Sequence, residues 1–185
     1  MKKILKWVAG IIIVFIGIYL IVPPIMKKQT KKHSPETTIN YQQKGYDLSV
    51  YYNRPSVKGR VIFGDLVPYG EVWRTGANEA TVFTTGTDIM INGKPLKAGT
   101  YTLWTIPGEA YWEVIFNSKQ YEWGVTLKGT KIQVSRESDH DVLNIRVPVN
   151  QKETLTEIFT IAFEEDTSLQ MTLEWEKARI VIPIE

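Results

Sequence analysis

LQMTLEWE, residues 169–176, sets Leu169, Met171, Leu173 and Trp175 at every second position, with Gln170, Thr172, Glu174 and Glu176 between them. Side chains of a β-strand point alternately to opposite faces, so this spacing predicts a strand with one buried and one wetted face. The pattern recurs outward from there. Leu143, Ile145 and Val147 alternate with Asn144 and Arg146; Phe159, Ile161 and Phe163 repeat it, as do Leu48, Val50 and Tyr52. Asn92-Gly93, between Ile89-Met90-Ile91 and Leu96, is a two-residue hairpin signal, because a type I′ turn needs positive φ at both central positions. Pro107-Gly108 turns Thr100–Ile106 into Tyr111–Phe116. Past residue 43 no long stretch keeps helical period. The expected architecture is all-β, an antiparallel β-sandwich or jelly-roll-like domain over residues 44–185.

Ahead of it, Trp7–Met26 is twenty residues without a charge. As a helix at 1.5 Å per residue that is about 30 Å, one hydrocarbon thickness. Lysines 2, 3 and 6 precede the apolar run, while Pro23-Pro24 and lysines 27, 28, 31 and 32 follow it. A secretory leader has a similar start, but no small-x-small cleavage pattern follows this one. Residues 1–26 therefore read as an uncleaved signal anchor, a single transmembrane helix, and residues 27–43 as a polar, lysine-rich tether. Lysines on both flanks leave the positive-inside count nearly balanced.

Charge separates the two regions. Met1–His33 holds seven lysines and no acid, whereas Ser34–Glu185 holds fifteen Lys+Arg against twenty Asp+Glu, a net of −5. A mildly acidic domain argues against a nucleic-acid partner. With no cysteine in the chain, disulfides, thiol nucleophiles and thiolate metal sites are excluded. The two histidines lie in the tether (His33) and in the polar run Arg136–Asp141 (His140). No Gly-x-Ser-x-Gly elbow accompanies them, and no metal or cofactor is expected.

The stretch richest in chemistry is Arg54–Glu79, RPSVKGRVIFGDLVPYGEVWRTGANE. A connection that long, if ordered, is usually functional or part of the core. Arg54, Arg60 and Arg74 suit a carboxylate or phosphate, since guanidinium offers a planar bidentate fork; the competing reading pairs Arg74 with Glu71 or Glu79 as a clamp. Asp65, Glu71 and Glu79 suggest the acid and base of a glycosidase. Tyr69, Trp73 and Asn78 complete the set, in which flat aromatic rings suit stacking on the C–H-rich faces of sugars. The ligand-binding candidates are thus Arg54, Arg60, Asp65, Tyr69, Trp73, Arg74, Asn78 and Glu79.

Val67–Thr81, VPYGEVWRTGANEAT, together with Arg54-Pro55-Ser56, Gly59-Arg60, Ala98–Leu103 and Ile106-Pro107-Gly108, resembles the bacterial family known as domain of unknown function 2911. The resemblance spans roughly Tyr46–Pro183 and implies an exported all-β domain, commonly of Bacteroidetes-type bacteria, with no established activity. It supplies no catalytic residue. It does favour placing the domain on the extracytoplasmic, periplasmic side of the inner membrane, held there by the amino-terminal helix. The leading functional expectation is binding of an envelope glycan or small anionic ligand. A cell-envelope hydrolase using the carboxylates of residues 65–79 and a structural scaffold with no small ligand are the alternatives.

Overall fold

A computed structural model describes residues 12, 15, 17, 19, 20, 28–121 and 123–185. The chain divides into two compact units, Met1–His33 and Ser34–Glu185. The expected transmembrane helix over residues 1–26 falls, apart from those five positions, outside the described residues. Among the described residues no helix is long and apolar enough to cross a membrane.

Ser34–Glu185 is an antiparallel β structure. Its strands are β1 (Glu36–Tyr41), β2 (Leu48–Asn53), β3 (Thr81–Thr85), β4 (Ile89–Ile91), β5 (Lys94–Leu96), β6 (Gly99–Ile106), β7 (Tyr111–Asn117), β8 (Val125–Lys128), β9 (Lys131–Val134), β10 (Asp141–Glu165) and β11 (Leu169–Ile184). Nine of them form one sheet in the order β1-β2-β3-β6-β7-β10-β11-β4-β5, and β8-β9 is a separate hairpin. Asn92 and Gly93 have φ of 49° and 73°, so the β4-β5 turn has the positive φ pair that its sequence demands.

Residues 36–41, expected to lie in the tether, instead form edge strand β1. Glu36–Tyr41 pairs in register with Asn53–Leu48, and alternate residues Ile39 and Tyr41 pack against the core. The polar stretch is half-buried on one face only, so its apolar signal is too short to stand out from a linker.

The long strand β10 organises the rest. Its first part, Asp141–Pro148, pairs with β7, and from Val149 onward it pairs with β11. Register shifts fall between Gln151 and Thr156 and between Thr156 and Thr160, within the pairing with β11. Extra residues in one strand of a pair bend it and increase its twist. Both portions contribute to one core that includes Val50, Phe83, Leu103, Phe116, Ile145, Ile161, Met171, Leu173, Ile180 and Ile182. On the far face of β6 and β7, Trp104 and Ile115 are covered by Val72, Tyr121 and Val134, which buries these strands on both sides. Residues 101–105 of β6 accordingly lack a wetted face.

Parity along β11 explains its shape. Leu169, Met171, Leu173 and Trp175 are buried at odd positions, and Ala178, Ile180, Ile182 and Ile184 at even ones. The alternation breaks between the two sets, and Glu176 stands at the break with φ of 56°, opposite Thr156, where the extra residues of the pair belong to β10.

Candidate functional site

The stretch Arg54–Glu79 separates into three limbs with different surroundings. In the first, Pro55-Ser56-Val57 lies against β10: the Val57 amide donates to Glu157 O (2.8 Å) and the Phe159 amide to Pro55 O (2.9 Å). Arg54 donates from Nε to Phe159 O (3.3 Å) and from Nη2 to Thr160 Oγ1 (3.0 Å). Arg60 donates from Nε to Val57 O (3.0 Å) and from Nη2 to Ser56 O (2.6 Å). Both guanidinium groups are therefore engaged in fastening the segment, one across to β10 and one within its own turn.

The second limb, residues 61–70, is anchored by buried Ile62, Phe63 and Val67, with the Val67 amide donating to Ile62 O and the Gly64 amide to Val67 O. Asp65 is exposed at its tip. Tyr69 is 41% exposed, and its ring lies over Gly64, where a Cβ would stand 2.9 Å from Cε2. The Gly70 amide donates to Pro107 O (2.9 Å), which ties this limb to the β6-β7 turn.

The third limb turns inward. Trp73 exchanges backbone hydrogen bonds with Thr105 (2.7 and 2.9 Å), its Nε1 donates to Gly76 O (3.0 Å), and its ring stacks on Trp175 at 5.7 Å and 15°. With Phe63, Trp112 and Phe159 edge-on around it, Trp73 is only 8% exposed. A ligand cannot stack on it. Thr75 and Asn78 hold φ of 55° and 58°, and Gly76 holds 149°; a β-branched residue in the left-handed region is an outlier that its surroundings must impose. Those surroundings are Thr81 Oγ1 donating to Thr75 O (2.6 Å) and Thr75 Oγ1 donating to Thr105 Oγ1 (3.1 Å). Gly76 also has no room for a side chain, since a Cβ would lie 2.9 Å from Asn53 O.

Three buried polar side chains complete this limb. Asn78 Nδ2 donates to Asn53 Oδ1 (3.2 Å), and Asn53 Nδ2 donates to Glu79 Oε2 (3.0 Å). Asp65 and Glu71 are exposed while Glu79 is 8% exposed against Asn53, so these three carboxylates do not share one environment. Arg74 forms no ion pair with Glu71 or Glu79 among the described residues; the clamp anticipated for it is absent.

Of the eight candidates, Tyr69 borders a cleft. About 220 Å³ in volume, this cleft is lined by Phe63 and Tyr69 from the second limb, Gly108 and Glu109 from the β6-β7 turn, Trp112, Val149 and Gln151, and Glu176, Lys177 and Ala178. Three consecutive residues line it because the left-handed kink at Glu176 breaks the alternation that would send neighbours to opposite faces. Glu176 Oε2 also accepts a long bond from the Phe63 amide (3.4 Å). Burial and, after it, the negative charges of Glu109 and Glu176 push the Tyr69 phenol up from its usual range. Two carboxylates against one lysine make the cleft acidic, which disfavours a small anion.

Glu109, Gln151, Glu176 and Lys177 escape a sequence reading, since they come from three separate elements. One signal was present: the switch from odd to even apolar positions after Trp175 marks a break in the alternation, where side chains are re-aimed.

A family model described as "Protein of unknown function (DUF2911)" matches residues 34–184. No curated protein and no solved structure matches the chain.

Proposed function

The chain belongs to the DUF2911 family of proteins of unknown function, and we propose that its β domain binds a neutral, polyhydroxylated ligand, one residue of an envelope glycan, in the cleft beside Tyr69. The carrying observation is the left-handed kink at Glu176, which brings a carboxylate and an ammonium from adjacent positions into the same cleft as Tyr69, Glu109 and Gln151. Carboxylates and amides accept and donate bidentate bonds to vicinal hydroxyls, and the half-exposed Tyr69 ring offers an apolar face for C–H-rich surface. A non-glycine residue held at positive φ costs about 1–3 kcal/mol, and such strain clusters at ligand sites.

Around that site, the proposal places the protein as a single-pass, membrane-anchored component of the cell envelope. Its domain, a scaffold of the sandwich or jelly-roll type, lies on the extracytoplasmic side. The uncharged Trp7–Met26 run with lysines on both flanks supports the anchor. Protease added to intact spheroplasts is expected to remove the domain; protection would place it inside.

Binding is tested with the full chain in detergent, following tyrosine and tryptophan fluorescence during titration with neutral cell-wall oligosaccharides. Loss of one charge-assisted hydrogen bond, about 1.5–3 kcal/mol, predicts that Glu176→Gln weakens binding roughly 10- to 100-fold. A native variant that binds like the wild type refutes the assignment. The shared cleft of Glu109 and Glu176 also favours a second reading, glycoside hydrolysis by this carboxylate pair in place of the 65–79 acids. Release of reducing ends by the wild type, abolished in Glu109→Gln, distinguishes it from binding alone.

A further inference from the structure

Several half-buried charged side chains of this domain are answered by opposite charge. Arg136 pairs with Asp141, Lys152 with Glu174, and Arg179 with Glu164 and Glu174 at 2.7 Å each. Arg54 and Arg60, though not ion-paired, donate to backbone carbonyls. Arg74 departs from all of them. Its side chain makes no hydrogen bond or ion pair among the described residues, and Nε is buried without an acceptor.

The surroundings of Arg74 are built to hold it. Its stem passes under Gly124, where a Cβ would fall 2.3 Å from Arg74 Cδ and 2.8 Å from Arg74 Cβ. The backbone of Gly124 is outside the positive-φ region, so the missing side chain serves proximity and not conformation. That residue is pinned on both edges: its amide donates to Asn78 O (3.1 Å), and its carbonyl accepts from the Ser135 amide (3.1 Å). Nε is sealed beneath without an acceptor, and the two terminal nitrogens make no hydrogen bond among the described residues. Burial lowers the Arg74 pKa, yet an arginine stays cationic at neutral pH. A partly buried cation without a counter-charge is destabilising, and the remedy is an anion accepting from both terminal nitrogens at once.

We propose that Arg74 forms a second ligand site, separate from the Tyr69 cleft, that takes the two-oxygen face of a carboxylate or phosphoryl group on Nη1 and Nη2. The small anionic ligand that the acidic cleft disfavours is assigned to this position. Glu79, whose Oε2 accepts from Asn53, makes no hydrogen bond or ion pair with Arg74 among the described residues. Glu71, in the same limb, is exposed and makes no bond to Arg74.

The test is a titration of the ¹⁵N-labelled full chain in phosphatidylcholine nanodiscs, following the arginine Nε–H resonances at constant ionic strength. Inorganic phosphate and acetate are the free-anion probes, and nanodiscs containing phosphatidylglycerol supply a lipid phosphate. A saturable shift of the Arg74 resonance by any of them is expected, and which arm saturates identifies the source. Arg74→Lys, which keeps the charge but loses the planar fork, is expected to weaken the response about tenfold or more. Glu176→Gln, remote in mechanism, is expected to leave it unchanged, so that failure of the cleft and failure of this site are told apart. A linear shift equal to that produced by chloride means an adventitious ion only and overturns the proposal, as does wild-type affinity in a folded Arg74→Lys. Should that variant not fold, the wild-type titration decides by itself.

Discussion

Gly124→Ala tests whether the arm carrying Gly124 is fitted around Arg74. Carbon atoms pack at about 3.5–4.0 Å, whereas the new methyl stands 2.3 Å from Arg74 Cδ. The stem must retreat by more than about 1 Å, or the arm must lift and loosen the bonds from Gly124 to Asn78 and from Ser135 to Gly124. Overpacking of this kind costs about 1–3 kcal/mol. Against it stands a gain of about 0.4–1 kcal/mol, because alanine narrows the unfolded ensemble and the Gly124 backbone has no positive φ to forbid it. The net expectation is a loss of roughly 1–2 kcal/mol, a few degrees in melting temperature for a domain of this size. In an Arg74→Ala background the contacts with Cγ and Cδ disappear and only the 2.8 Å approach to Cβ remains, so the same change is expected to cost distinctly less. Urea denaturation of the four proteins, followed by near-ultraviolet circular dichroism with equal slopes, measures the coupling. Identical effects in both backgrounds, within about 0.5 kcal/mol, would refute the close fit and with it the structural basis for the anion site.

Glu176→Gly is expected to keep stability within about 1 kcal/mol, since relief of the left-handed strain offsets the added freedom of the unfolded chain, while abolishing saccharide binding in the cleft. A loss above 2–3 kcal/mol in thermal melts would make this carboxylate a structural acceptor for the Phe63 amide. Trp73→Phe removes the bond to Gly76 O, but Trp175→Phe removes an Nε1 that has no acceptor. For similar lost volume, Trp73→Phe should therefore be the costlier by about 1 kcal/mol in urea denaturation. Burial pushes the Glu174 carboxyl up, but the hydrogen bond and charge of Lys152, with Arg179 and Thr156, outweigh it and hold the group below its usual 4.5. A depressed folded-state pKa stabilises fully above the unfolded value and is lost as pH falls through the folded one. Denaturation midpoints should thus decline below about pH 4.5, and less steeply in Glu174→Gln.

Elements whose apolar positions recur locally were legible beforehand. Leu169–Trp175, Leu143–Val147 and the Asn92-Gly93 turn each satisfy a rule of spacing or backbone sign that depends on nearby residues alone. Trp104 and Ile115 were less so, because strands covered on one face by the main core and on the other by Val72, Ala80, Tyr121 and Val134 have no alternation to read. The edge strand β1 was hidden for the converse reason: with one half-buried face it resembles a polar linker.

The prominent loop illustrates how chemistry on paper divides in space. Three arginines within twenty-one residues suggest one pocket, yet Arg54 reaches β10, Arg60 closes its own turn, and Arg74 runs under Gly124. Trp73, adjacent to Arg74, points the other way, into the core against Trp175.

By itself the sequence determined an antiparallel all-β domain, its hairpin, most of its buried strand faces and its family, because each rests on the period of a single segment or on a contiguous motif. The tertiary structure alone decided that Tyr69 meets Glu109, Gln151, Glu176 and Lys177, and that Arg74 lies beneath Gly124. Both sites join residues distant in the chain. The cleft depends on the left-handed kink at Glu176 and the Arg74 position on where the arm carrying Gly124 packs, and no local spacing rule specifies either.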